Sequence, residues 1–142
     1  MISNKENLIK KRVGKFIYGV DDTNLAKEVH NLLLKENLTV SLAESCTGGL
    51  ISHRITQIPG SSKIFKGSFV VYSNNSKINL LDIREKFIDE NGAVSRKTAE
   101  IMANHIKEKF DTDIGIGVTG IAGPGGGTKK KPVGLIYFGI SY

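Results

Sequence analysis

The chain has no tryptophan and one cysteine. A single thiol cannot close an internal disulfide or build a cysteine-based zinc site. Aromatic residues fill only 7% of the 142 positions, so stacking platforms for single-stranded nucleic acid are not evident. No run reaches the ~20 apolar residues of a membrane span. The first residues, Met1-Ile2-Ser3-Asn4-Lys5-Glu6, are polar and form no secretory h-region, so a cytoplasmic protein without a membrane partner is expected. Histidine is scarce too, with only His30, His53 and His105. There is no HxH or HExxH and the acids are scattered, so neither a metal nor a cofactor is expected.

Hydrophobic residues make up 39% and charged residues 24%, the balance of a folded globular domain. Twenty Lys and Arg against fourteen Asp and Glu leave a net charge of +6. The excess sits in two places, Lys10-Lys11-Arg12 with Lys15, and Lys129-Lys130-Lys131. A small anionic ligand such as a nucleotide fits this balance as well as nucleic acid does. With so few aromatics, nucleic acid is the weaker reading.

Residues 1–20 show no sustained period and read as an arm or linker. Asp21-Asp22-Thr23 supplies capping residues for a helix whose Leu25, Val29, Leu32 and Leu33 form one apolar stripe, with Asn37 as its stop. Leu38, Val40 and Leu42 alternate with polar residues as a strand to about Ala43. Ile51, Ile55 and Ile58 then mark a helix from Thr47 or Gly48 to Pro59-Gly60. Phe69 to Tyr72 is a second strand. Ser73-Asn74-Asn75 caps a helical stretch containing Lys77, Ile78 and Leu81, and residues 83–90 read as another short helix. Ser95 caps a clear helix with Ala99, Met102, Ile106 and Phe110 on one face. Ile114, Ile116 and Val118 predict a third strand. A Gly/Pro/Lys loop fills 120–131, and Val133 to Ile140 reads as a strand buried at a sheet centre. Alternating strands and helices indicate an α/β fold, a three-layer α/β/α sandwich with a mostly parallel or mixed central sheet, in one domain over residues 21–142.

Three polar clusters follow three strands directly: Glu44-Ser45-Cys46-Thr47, Tyr72-Ser73-Asn74 and Thr119-Gly120. Ligands in open α/β sheets bind beyond the carboxyl ends of strands, so parallel strands would bring the clusters to one rim. Ser45 is the leading nucleophile, with the amides of Thr47, Gly48 and Gly49 nearby to meet an oxyanion or a phosphate. No histidine is well spaced to activate it. Lys77 is better placed, provided its amine is kept neutral. Spacing alone favours a plainer reading, in which Ser45 caps a turn and Lys77 is a surface lysine. Cys46 is the rival nucleophile, although lone cysteines are usually small buried apolar groups.

Gly115-Ile116-Gly117-Val118-Thr119-Gly120 matches GxGxxG, yet its first glycines lie inside a strand and no helix follows. Gly123-Pro124-Gly125-Gly126-Gly127-Thr128-Lys129 evokes a P-loop but lacks Gly-Lys-Ser/Thr. That loop reads either as a flexible surface segment or as a phosphate-cradling nest with charge from Lys131.

At these residues the sequence resembles the CinA C-terminal domain family, also called the nicotinamide-nucleotide amidohydrolase family. The matching stretches are Ala43 to Gly49, Pro59 to Ser62, Val71 to Asn74 with Lys77, Gly92 to Ser95, Thr119 to Pro124 and Lys131 to Gly134, in family order over residues 21–142. The resemblance implies hydrolysis of the carboxamide of nicotinamide mononucleotide to nicotinate mononucleotide and ammonia, without a metal. It implies Ser45 as nucleophile or activator, Lys77 as base, Tyr72 in proton transfer or positioning, and Thr119 beside the amide. Glu44, Thr47, Gly48, Gly49, Gly60, Ser61, Gly120, Ile121, Ala122, Gly123 and Lys131 are the expected substrate-binding positions. The resemblance also implies a homodimer. It further implies a Gly-Asp-Arg stretch and a final helix beyond Tyr142, which this sequence does not contain. Lys11 to Gly19 looks like the junction to a preceding domain in a two-domain form. A non-catalytic nucleotide-binding or regulatory module is the alternative.

Overall fold

Four strands and six helices succeed one another in the computed structural model of the chain, which describes residues 2–142. The helices are α1 (Ile2–Val13), α2 (Leu25–Glu36), α3 (Leu50–Thr56), α4 (Asn74–Leu81), α5 (Glu85–Asn91) and α6 (Arg96–Phe110). The strands are β1 (Val40–Glu44), β2 (Phe65–Val70), β3 (Ile114–Gly120) and β4 (Ile136–Ser141). They form one mixed sheet in the order β2-β1-β3-β4. The first three strands are parallel and β4 runs antiparallel to β3. Helices lie on both faces, as the α/β pattern in the sequence requires.

Alternation along β1 divides the core in two. Ala43 points toward α6 and packs with Val71, Leu81, Met102 and Ile106. Val40 and Leu42 point the other way, into a cluster with Leu33, Ile64 and the partly buried Ile51 and Ile55. Each fully buried aliphatic side chain contributes about 1.5–3 kcal/mol, so these two clusters hold the layers together. On the α6 side the contact is backbone to backbone. A Cβ on Gly115 would collide with the carbonyl of Ala103, and one on Gly117 or Gly139 with that of Ala99. The first two glycines of the GxGxxG match therefore seat a helix against a sheet.

Several expectations need correction. The arm includes a helix, α1, whose Leu8, Ile9 and Val13 are exposed. The cap of α2 is Asn24, which accepts from Lys27 N, and the helix is turned so that His30 and Leu33 face inward. Leu25, Val29 and Leu32 of the expected stripe are instead exposed. Strand β2 starts at Phe65, four residues early, with its pairing shifted between Val40 and Ser41. Strand β4 is an edge strand and not a central one. Its Gly139 meets α6, while Phe138 and Ile140 on the opposite face are 61% and 66% exposed. Helix α3 is shorter than expected, Leu50–Thr56, β2 ends at Val70 and not Tyr72, and β4 starts at Ile136 and not Val133. Asn37 is the left-handed stop of α2, Ser73 closes a capping box on α4, and Ser95 caps α6.

Candidate active site

The parallel register brings the ends of β1, β2 and β3 to one rim. Ser45 follows β1 and is fixed by two backbone bonds, from its own amide to Val118 O (3.0 Å) and from Gly48 N to its carbonyl (3.1 Å). Val71 N donates to Glu44 O at 2.7 Å, which holds the end of β2 beside Ser45. The Ser73–Ser76 capping box then turns the chain at once into α4. Side chains on a helix tilt toward its N-terminus. Lys77, in the first turns of α4, therefore leans back over the rim.

Its amine meets the Ser45 hydroxyl. Lys77 Nζ lies 3.1 Å from Ser45 Oγ, 2.8 Å from Val71 O and 3.3 Å from Tyr72 O. Lys77 is 1% exposed and Ser45 6%. Among the described residues Lys77 has no carboxylate partner. Burial without a counter-charge pushes its amine below the ordinary lysine range, with Cys46 acting in the opposite direction. A neutral amine has two N–H bonds and one lone pair. Two carbonyls can take the N–H bonds, which leaves the lone pair for the serine proton. The arrangement thus suits a serine nucleophile with a lysine base.

A cavity of about 290 Å³ opens over this pair. Ser45, Cys46 and Lys77 are on its floor, Ala93 and Val94 form one wall, and residues 120–126 form the roof. Thr119 borders the cavity, but its hydroxyl donates to Ala93 O at 2.8 Å and so braces the wall. Tyr72 borders it with a ring that is 75% exposed, and it is the tyrosine carbonyl that touches Lys77. The amides of Gly125 and Gly126 face no acceptor among the described residues. Burial raises the Cys46 thiol above its ordinary range, although Lys77 nearby pulls it down. No histidine lines the cavity. Among the described residues no cluster of His, Cys, Asp or Glu could hold a metal ion.

Other expected binding positions lie elsewhere. Glu44 is fully buried on the α3 side of the sheet, where it accepts from Ser52 N (2.8 Å), Ser52 Oγ (2.5 Å) and Ile51 N (3.1 Å). Burial pushes its carboxyl up, but the Ser52 and Ile51 bonds outweigh that and hold it below the usual range. The first amides of α3 thus point at Glu44. Because α3 starts at Leu50 and Gly48 N is bonded to Ser45 O, the Thr47-Gly48-Gly49 turn offers fewer free donors than expected. Gly60 and Ser61 precede β2 and lie at the opposite rim, since a parallel strand begins where its neighbour begins. Lys131 binds Val94 O at 2.6 Å behind the wall. Asn74, part of the second polar cluster, lines the cavity as expected of that rim, and so do Ala93 and Val94, to which sequence reasoning assigned no role. The Gly92 to Ser95 stretch was the available signal.

The model of the CinA C-terminal domain family matches residues 22–142. A "CinA-like protein" of Dictyoglomus turgidum is 51% identical over 140 residues, covering 99% of this chain and 34% of that protein. The chain therefore spans about a third of the length of the curated relatives it matches. Among solved structures, the competence/damage inducible protein CihA from Agrobacterium tumefaciens superposes with a TM-score of 0.79 at 42% identity, over 82% of this chain and 70% of that one. The competence damage-inducible protein A of Klebsiella pneumoniae gives 0.80 at 30% identity, over 83% and 73%. With the family model covering the sheet, the Ser45–Lys77 pair and the glycine-rich roof, the chain belongs to the CinA C-terminal domain family.

Proposed function

We propose that this chain hydrolyses the carboxamide of nicotinamide mononucleotide, giving nicotinate mononucleotide and ammonia. One observation carries the reading. A buried lysine amine without a counter-ion stands 3.1 Å from a serine hydroxyl at the floor of a cavity. Ser45 Oγ attacks the amide carbon as Lys77 takes its proton. The developing oxyanion meets amides of the turn after Ser45. Lys77 returns the proton to the departing ammonia, and water then repeats the sequence on the acyl-serine to release the acid. The unengaged amides of Gly125 and Gly126 suit the phosphate of the nucleotide.

The test is ammonia release from nicotinamide mononucleotide by the protein and by its Ser45→Ala and Lys77→Met variants. Each substitution is expected to lower kcat by about 10²–10⁴-fold, the range for loss of an acid–base partner or a nucleophile. Equal release by all three would refute the assignment. Binding without turnover by the unmodified protein would favour a nucleotide-binding or regulatory module.

A further inference from the structure

The roof of the cavity is a strap, residues 121–134, tied at its base and at its far end. At the base, Ile121 N donates to Leu135 O (2.9 Å) and Gly134 N to Ile121 O (2.8 Å). At the far end, residues 128–131 form a closed turn in which Thr128 N donates to Lys131 O (2.7 Å) and Lys131 N to Thr128 Oγ1 (3.0 Å). From that turn one side chain crosses to the opposite wall, where Lys131 Nζ donates to Val94 O. The neighbouring carbonyl, Ala93 O, is held by Thr119. Two consecutive carbonyls of the wall are therefore gripped, one from β3 and one from the strap. Gly92 leaves room for this contact, since a Cβ there would fall 3.2 Å from Lys131 Nζ. Of the three lysines in the run, Lys129 and Lys130 are exposed and make no such bond among the described residues.

We infer that Lys131 is a positioning residue, whose ammonium sets the width of the cavity by holding the glycine strap against the Val94 carbonyl. Its positive charge acts on the wall and not on a bound anion. The amides of Gly125 and Gly126 keep their places over Ser45 only while that contact is made. An ammonium–carbonyl bond is strong for a hydrogen bond yet breakable, so the strap stays closed in the empty protein and can open to admit a ligand.

The kinetic part of the test rests on the proposed amidohydrolase reading, and the exchange part does not. Hydrogen–deuterium exchange of the ligand-free protein is expected to speed up about tenfold at the Thr128 amide, which is bonded to Lys131 O, in Lys131→Met, with β3 and α4 unchanged. Lys131→Arg, which can still donate to Val94 O, is expected to restore most of the protection. Lys130→Ala is expected to match the unmodified protein. In turnover of nicotinamide mononucleotide, Lys131→Met is expected to raise KM about tenfold and leave kcat within about twofold. Unchanged exchange in Lys131→Met, or equal acceleration in Lys130→Ala, overturns the inference. Absence of ammonia release from every variant counts against the activity alone, because the exchange comparison is still read. A Lys131→Met variant whose β3 and α4 amides also lose protection overturns the inference in favour of a general structural role.

Discussion

A lysine with 1% exposure and no carboxylate is an expensive residue to bury, and the pH dependence of the protein should report it. In the unfolded chain the amine titrates near 10.4, and in the folded chain below that. Between the two values the unfolded state binds more protons, so stability rises with pH across that window. Below the folded value the cost of burying the charge is fully present. We expect chemical denaturation at neutral pH and near pH 9.5 to show a larger gain for the unmodified protein than for Lys77→Met. For the proposed amide hydrolysis, the same titration predicts a kcat/KM that climbs with pH through an inflection below the usual lysine value. A pH-independent difference between the two proteins would mean that the amine titrates as an exposed one. The Ser45–Lys77 pair was visible in sequence as two polar residues following two strands. Its contact was not, because it depends on β1 and β2 being adjacent and parallel. Glu44 could have been placed by counting. In period-two alternation it shares a face with Val40 and Leu42, away from Ala43 and the wall braced by Thr119.

Elements with their own punctuation were legible. Ser73 and Ser95 cap α4 and α6 because their hydroxyls accept from amides three residues on, a purely local bond. Strand order and register are settled by distant contacts, and there the sequence misled. β4 has no charged residue between Ile136 and Tyr142, which reads as a buried strand, yet it is an edge. The contact of α6 with the sheet was hidden for another reason. Gly115, Gly117 and Gly139 were expected inside strands, but the sequence does not say that they form the flat floor on which α6 lies. Gly117→Ala would drive a methyl group into the Ala99 carbonyl. We expect it to cost about 1–3 kcal/mol in denaturant unfolding, the usual range for overpacking. A variant as stable as the parent would mean that α6 can lift off the sheet without loss.

Across the molecule the two faces of the sheet are unequally covered. α6 crosses one face as far as β4, while on the other α2 and α3 leave Ile136, Phe138 and Ile140 exposed. A groove of about 430 Å³ beside them is lined by Val29, Ile55, Ile116 and Ile140, among others. Apolar faces and uncharged edge strands of this kind promote association. We expect the chain to self-associate as its concentration rises in sedimentation experiments, and Phe138→Lys to weaken that association with little change in unfolding free energy. Association that Phe138→Lys leaves intact would place the contact elsewhere. The homodimer implied by the family resemblance remains a proposal that the same measurement addresses. No described helix is long and apolar enough to cross a membrane.

Ser45 and Lys77 both belong to the stretch from β1 to α4, and the strap comes more than forty residues later in the chain. On the proposed reading, reactivity and selectivity are thus carried by separate stretches of the chain. If the proposed function holds, grafting a different loop between β3 and β4 would retune which molecules are admitted and leave the Ser45–Lys77 pair where it is.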